Sequence, residues 1–193
     1  MTFLISIILA YLIGSLSFAI IVAKLMRFPD PRTTGSGNAG ATNMLRVSGK
    51  QAAFYVLLGD TLKGLIAILI ARFLDIHGVS LAFVALVVVI GHVFPLYFKF
   101  KGGKGIATML GAFLGLSFWI GLLLTTTWFI IVYFFHYSSV AALVSAIPAP
   151  IYMMVSAHAD YFFPVLLIAT FVVWNHWENI QRLRKGTEKK IQF

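Results

Sequence analysis

The chain has 193 residues, of which 60% are hydrophobic and 11% charged, with a mean hydropathy of +0.94, a formal charge of +9 and no cysteine. A soluble domain carries about 25% charged residues, so this composition cannot clothe a globular surface and points to lipid as the main solvent. The missing cysteines exclude disulfides, thiolate nucleophiles and cysteine metal sites.

The apolar runs predict an all-α polytopic membrane bundle forming one domain over residues 1–193, with no long linker and no internal repeat. The first run, Thr2–Met26, has no basic residue before it, and Lys24 and Arg27 come after it. It therefore reads as a retained span and not as a cleaved leader. Next comes "TTGSGNAGATN", which contains a literal G-x-G-x-x-G at Gly35, Gly37 and Gly40. A dinucleotide fingerprint must follow a buried strand, open a helix and precede an acidic residue about 20 positions on. Asp60 meets the last condition, but the preceding "MRFPDPRTT" is no strand. The loop reads instead as a nest of backbone N–H groups able to hold an anion. Ser36, Asn38, Thr42 and Asn43 add donors, Ala41 adds its amide, and Arg46 adds a guanidinium able to fork onto two phosphate oxygens.

The second span, Gln51–Leu74, carries Asp60 and Lys63 at i, i+3, close enough to pair. Ionisable groups at membrane depth are costly and face a polar interior, so "GDTLKG" predicts a polar cleft reaching into the bundle. Whether the pair touches a ligand or props the site is open at this point. The third span, Val79–Phe98, holds His92 near its end, where a packed, hydrogen-bonded histidine is as reasonable as a functional one. "KGGKG" follows, freeing the backbone at Gly102 and Gly103 and placing Lys104 at the mouth of a helix, whose N-terminus favours an anion. It is not a Walker A loop, because Phe98 and Gly105 stand where that motif needs glycine and Ser or Thr.

Gly105–Ser117 and Phe118–Phe135 are taken as two spans, with Gly111, Gly115 and Gly121 available for a break or close packing. "HYSS" at His136–Ser139 leads to a sixth span, Val140–Ala157. The seventh, Tyr161–Arg182, brings His176, Asn179 and Arg182 at i, i+3, i+6, and "RLRKGTE" adds Glu188. Neighbours at that spacing share a helix face. Seven spans with the N-terminus outside place thirteen of the fifteen basic residues inside, leaving Arg72 outside and Lys63 within a span. Merging the two doubtful spans would send the five basic residues from Arg182 onward across the membrane, against the positive-inside rule. The C-terminus is therefore expected in the cytoplasm. Trp174, Trp177, Tyr97 and Phe100 then read as an aromatic belt, and His77 and His158 as outer-side bystanders.

With this topology the three polar clusters and "HYSS" meet on the cytoplasmic side. Glycine loops are also ordinary turns, and basic residues near a membrane also serve as headgroup anchors. Three donor-rich sets facing one compartment are less easily reduced to either.

At these residues the chain resembles the bacterial membrane acyltransferases that acylate glycerol-3-phosphate from acyl-phosphate. "GSGNAGATN", "GDTLKG", "GHVFPLYFKFKGGKGIAT" and "HWENIQRLRKGTE" carry the resemblance, in order and over essentially the whole length. It implies transfer of a fatty acyl group to the sn-1 hydroxyl, giving lysophosphatidic acid and phosphate, as the first step of phosphatidic acid synthesis in the inner membrane. The substrates are acyl-phosphate and glycerol-3-phosphate, with membrane lipid around them and no nucleic acid. A monomer is the expected unit. No histidine here is followed five positions later by aspartate, so the dyad of the more familiar glycerolipid acyltransferases is absent.

The expected catalytic set is Ser36, Asn38, Lys104 and His176. Gly35, Gly37, Gly40, Ala41, Thr42 and Asn43 are expected to bind substrate, as are Arg46, Gly102, Gly103, Ser139, Asn179, Arg182 and Glu188. Ser138 is a weaker addition. Asp60, Lys63 and His92 line or support the cleft. No triad is readable around Ser36, so direct attack without an acyl-enzyme is expected. The base is His176 or a substrate phosphate, whose second pKa lies near 6. No cofactor or metal is required: the six acidic residues are scattered. A transporter would need polar residues through to the outer side. A headgroup-binding scaffold would tolerate Lys104→Ala and Arg182→Ala.

Overall fold

In the computed structural model, which describes residues 1–156 and 158–192, eleven α-helices run in the order α1 (Thr2–Gly14), α2 (Phe18–Leu25), α3 (Ala41–Ser48), α4 (Lys50–Phe73), α5 (Gly78–Val93), α6 (Ile106–Leu116), α7 (Phe118–Phe135), α8 (Ser138–Ala146), α9 (Ala149–Val155), α10 (Phe162–Asn175) and α11 (Trp177–Arg184). Short 3-10 turns at Leu96–Phe98 and Ala159–Tyr161 complete the described residues. Ala157, the end of the sixth expected span, lies outside them. In α1, α5 and α7, runs of apolar residues without interior charge make the helix, and these show almost no amphipathic bias because lipid and core are both apolar.

Among the described residues four segments are long and apolar enough to cross a membrane: Lys50–Phe73, Gly78–Phe98, Phe118–Phe135 and Ser138–Val155. Two bent pairs are further candidate crossings. α1 and α2 meet at 42°, where Ser15 Oγ bonds back to the Tyr11 carbonyl at 2.8 Å. Such back-bonding competes with the helix ladder and bends it. The seventh expected span bends by 56° at His176, so Asn179 and Arg182 ride on α11 while His176 sits at its entrance. The expected single helix carrying all three is thus two helices.

α6 is the segment the sequence left awkward. Its 11 residues rise only about 16 Å, against a hydrocarbon core of about 30 Å. It packs along α4 through glycines: a Cβ on Gly64 would strike the Thr108 carbonyl, and one on Gly111 would strike that of Thr61. Its last carbonyls, Gly115 and Leu116, accept hydrogen bonds from Arg72 at 3.1 and 3.0 Å. α6 therefore covers only the second half of α4, starting near Leu57 and Asp60, about 10–15 Å along α4 from Lys50. The loop before it dips into the bundle, and Ser117, in extended conformation, turns the chain straight into α7. α1 crosses α5 just as closely, with the Gly14 and Gly91 backbones in contact.

Candidate active site

A cavity of about 600 Å³ opens where α6 begins, and its wall draws on every polar cluster seen in the sequence. The 35–43 loop supplies Gly35, Ser36, Gly37, Asn38 and Gly40, followed by Ala41, Thr42 and Asn43. Arg46 comes from α3, Asp60 from α4, His92 from α5 and Lys104 from the loop before α6. Ser138 and Ser139 enter from α8, and His176, Asn179, Arg182 and Glu188 close the far side.

The backbone donors are not distributed as the glycine pattern suggests. Asn43, 1% exposed, knits the first loop together. Its Oδ1 accepts from the Ser36 N–H at 2.8 Å, and its Nδ2 donates to the carbonyls of Pro31 and Thr34. The Gly37 and Gly40 N–H groups bond to the Thr34 and Asn38 carbonyls. Asn43 is therefore occupied in shaping the loop, and Ser36 and Gly37 do not turn their N–H groups outward as a nest. In the second cluster the Gly102 and Gly103 N–H groups bond to the carbonyls of Val93 and His92, and neither residue lines the cavity. What face the cavity are two helix starts. Ala41 and Thr42 begin α3, and Ile106 and Ala107 begin α6, with no side chain capping either helix. Uncapped N–H groups and the positive end of the dipole make each start favourable to an anion.

The charged side chains complete that field. Lys104 Nζ donates to Asn179 Oδ1, and Asn179 Nδ2 donates to Glu188 Oε1 at 2.6 Å. Glu188 also accepts from Ser139 Oγ at 2.8 Å and from Arg182 Nε at 2.7 Å. It thus meets Arg182 directly and Lys104 only through Asn179. Burial pushes the Glu188 carboxyl up, and the bonds from Arg182, Asn179 and Ser139 more than offset this, holding it below its usual range. Burial and the neighbouring Arg182 and Arg46 charges push the Lys104 ammonium down, with Glu178 and Glu188 opposing. A further anion in this cup would relieve the crowding of positive charge.

His176 is 5% exposed, and its Nδ1 lies 2.8 Å from the Val172 carbonyl. A carbonyl only accepts, so Nδ1 carries the proton, and the neutral ring keeps a lone pair on Nε2. Ser36 is exposed, and its hydroxyl has no histidine or carboxylate partner among the described residues, so no triad forms around it. Thr42 Oγ1 and Ser138 Oγ lie 2.8 Å apart, and Arg46 Nη2 donates to the Lys189 carbonyl at 2.9 Å. No cluster of His and acidic residues suited to a metal occurs among the described residues.

A second cavity, about 350 Å³, abuts the first and shares Ala41, Thr42, Leu57 and Trp128 with it. Leu45, Ala53, Phe54, Phe129, Val132, Tyr133 and Ile191 make most of the rest of its wall, which is almost wholly apolar although Lys50 also borders it. The sequence reading missed Trp128. A tryptophan in the middle of a span, away from either interface belt, was the available signal. It also missed Ile191, which the C-terminal tail brings back through an N–H bond to the His136 carbonyl at 2.7 Å.

Comparison with known proteins gives a consistent result. A family profile described as "Glycerol-3-phosphate acyltransferase" matches residues 4–186. A protein of that name from Coxiella burnetii (strain RSA 493 / Nine Mile phase I) is 72% identical over 193 residues, covering 100% of both chains. The crystal structure of PlsY (YgiH), an integral membrane glycerol 3-phosphate acyltransferase, in its glycerol 3-phosphate form superposes with a TM-score of 0.92 at 37% identity, covering 100% of this chain and 96% of the other. Its lysophosphatidic acid form gives 0.90 at 37% identity, with 98% and 95% covered.

Proposed function

Since the chain belongs to the glycerol-3-phosphate acyltransferase family of the PlsY type, we propose that it moves a fatty acyl group from acyl-phosphate to the sn-1 hydroxyl of glycerol-3-phosphate. The family makes it an integral membrane enzyme of phospholipid biosynthesis. The observation that carries the finer reading is the junction of two cavities. A cup with two helix N-termini and three cations suits phosphate, and the apolar slot beside it suits a hydrocarbon chain. An acyl-phosphate has both parts, and its reacting carbonyl would lie at the seam near Thr42 and Trp128.

In this reading Lys104, the start of α6 and the 35–42 loop with Ser36 and Asn38 hold the acyl-phosphate and the charge growing on its carbonyl oxygen. Arg46, Asn179 and Arg182 hold the phosphate of glycerol-3-phosphate. Gly102 and Gly103 seat the Lys104 loop, and Glu188 aims Arg182 and Asn179. The glycerol oxygen attacks the acyl carbon and the acyl C–O bond to phosphate breaks. Phosphate leaves with the electron pair, and His176 Nε2 takes the hydroxyl proton. Phosphate is a good leaving group, so positioning supplies much of the effect and no acyl-enzyme is needed. The isolated Ser36 supports that economy. Neither cofactor nor metal enters the scheme, and one chain, residues 1–193, suffices as the working unit.

The charge pattern supports a bacterial inner-membrane setting with seven crossings, N-terminus outside and the cup on the cytoplasmic side. α6 serves as a crossing because the aqueous cup reaches down to its start. Purified protein given palmitoyl-phosphate and glycerol-3-phosphate should release lysophosphatidic acid and inorganic phosphate in equal amounts. Palmitoyl-CoA in place of palmitoyl-phosphate should give no product. Turnover with the CoA ester at a comparable rate would remove acyl-phosphate as the donor.

A further inference from the structure

At the floor of the cup, where Asp60 and His92 reach its wall and Lys63 lies behind them, is a group of buried polar residues that the proposed chemistry does not use. Lys63 is 2% exposed inside an apolar helix, and its ammonium has three contacts. Asp60 Oδ1 is 2.7 Å away, His92 Nδ1 2.9 Å, and the Leu16 carbonyl 2.6 Å. Leu16 O and His92 Nδ1 stand at hydrogen-bond distance, whereas Asp60 Oδ1 faces the ammonium as an ion-pair partner without an aligned hydrogen bond. The three partners come from three different segments: α4 itself, the last turn of α5, and the break between α1 and α2, where the bend leaves the Leu16 carbonyl available. Charges buried this deeply are retained at a cost, and fold stability alone is better served by apolar packing.

The His92 ring transmits this arrangement upward. Nδ1 lies 2.9 Å from Lys63 Nζ and 3.4 Å from Asp60 Oδ1; an ammonium only donates, so with Lys63 charged Nδ1 accepts and the ring proton is on Nε2. Nε2 lies directly under the Gly103 backbone, where even a Cβ would overlap it, and Gly102 likewise has no room against the His92 carbonyl. The His92 and Val93 carbonyls accept the Gly103 and Gly102 N–H groups at 3.3 and 3.1 Å. One residue on is Lys104, and Gly105, with φ +94°, starts α6. The height and tilt of the His92 ring therefore set where the loop presents the Lys104 side chain and the first N–H groups of α6.

We propose that Asp60, Lys63 and His92 form a buried positioning group that fixes the His92 ring under Gly103 and so holds Lys104 and the start of α6 at the reacting carbonyl. They act through the loop and touch no reacting atom. This rests on the acyl-phosphate reading of the cup.

The test removes the pair together, since an unpaired buried charge would unfold the protein for uninteresting reasons. Asp60→Leu/Lys63→Met keeps apolar volume and should fold, with a thermal midpoint in detergent close to that of the parent. If the group positions Lys104, kcat with palmitoyl-phosphate falls between about 10- and 100-fold, the cost of a misplacement of about 1 Å, while KM for glycerol-3-phosphate stays within about threefold. His92→Leu in the same background should add little. Parental kcat in a folded double variant would overturn the proposal and make the cluster purely structural. A kcat loss that merely tracks a lowered midpoint across both variants would overturn it too. An unsubstituted protein inactive with palmitoyl-phosphate would instead sink the acyl-phosphate reading, so the two failures are distinct.

Discussion

At the scale of single residues, the cup is decided by which polar atoms are already spent. Asn43 uses its amide on Pro31, Thr34 and Ser36, and Glu188 uses both oxygens on Ser139, Asn179 and Arg182. His176 differs, since the Val172 carbonyl fixes its Nδ1 proton and its other nitrogen stays available. As general base, it should be needed for turnover more than for binding. His176→Ala should lower kcat by about 100-fold or more, within the range for acid–base catalysis, with KM for glycerol-3-phosphate changed by less than about threefold. His176→Gln should behave like Ala, because an amide cannot take the proton. Steady-state kinetics over both substrates reads this out. A modest fall in kcat with a collapse of glycerol-3-phosphate affinity would make His176 a binding residue and leave the proton to a substrate phosphate.

At the scale of elements, small residues fix the depth of the cup. α6 lies on α4 through Gly64 and Gly111, and neither has room for a side chain because backbone carbonyls stand in the way. Gly115 faces the buried Ile68 side chain, whose Cβ and Cγ2 would lie 2.7 and 2.8 Å from an added Cβ. Gly64→Val and Gly111→Val should therefore each destabilise by about 1–3 kcal/mol or more, as overpacking does. Gly115→Ala adds one carbon rather than three, against a side chain rather than a backbone carbonyl, and should cost less. Thermal unfolding in detergent orders the three, and a Gly64→Val protein as stable as the parent would remove this contact as the determinant. The same elements show what was legible in the sequence. The apolar runs and the clustering of Gly35–Arg46, Lys104 and Asn179–Glu188 followed from periodicity and charge, which are local. The break before Ser17 and the bend at His176 were not legible, whereas a short α6 separate from α7 is the expectation at Gly105–Ser117 and Phe118–Phe135. The break brings the Leu16 carbonyl to Lys63, 47 residues on, and the seating of α6 depends on the Thr61 and Thr108 carbonyls opposite the glycines, contacts that no local pattern shows. The glycine motifs misled in detail for the same reason. Their N–H groups were free in the sequence but are claimed by Thr34, His92 and Val93 in the fold.

At the scale of the whole molecule, the bundle is polar at one end and plain at the other. Arg46, Lys104, Arg182 and the 185–190 tail gather around the cup, whereas the far end of α4 carries Arg72, tied to the α6 carbonyls, and the nearby Asp75–His77 pair. A membrane potential and anionic inner-leaflet lipids favour the basic end in the cytoplasm. Even-numbered and odd-numbered crossings put the tail on opposite sides, so orientation and the status of α6 are one question. The absence of native cysteine allows it to be asked without background. Gly186→Cys, beside the cup, and His77→Cys, at the other end, each introduce one thiol at an exposed turn. In intact spheroplasts a membrane-impermeant maleimide should label the His77 variant and spare the Gly186 variant until the membrane is opened. Labelling of both from outside would mean that the two thiols share a side. The cup would then face away from the cytoplasm, or α6 and α7 would count as one crossing, and the supply of both phosphorylated substrates from the cytoplasm would lose its physical basis.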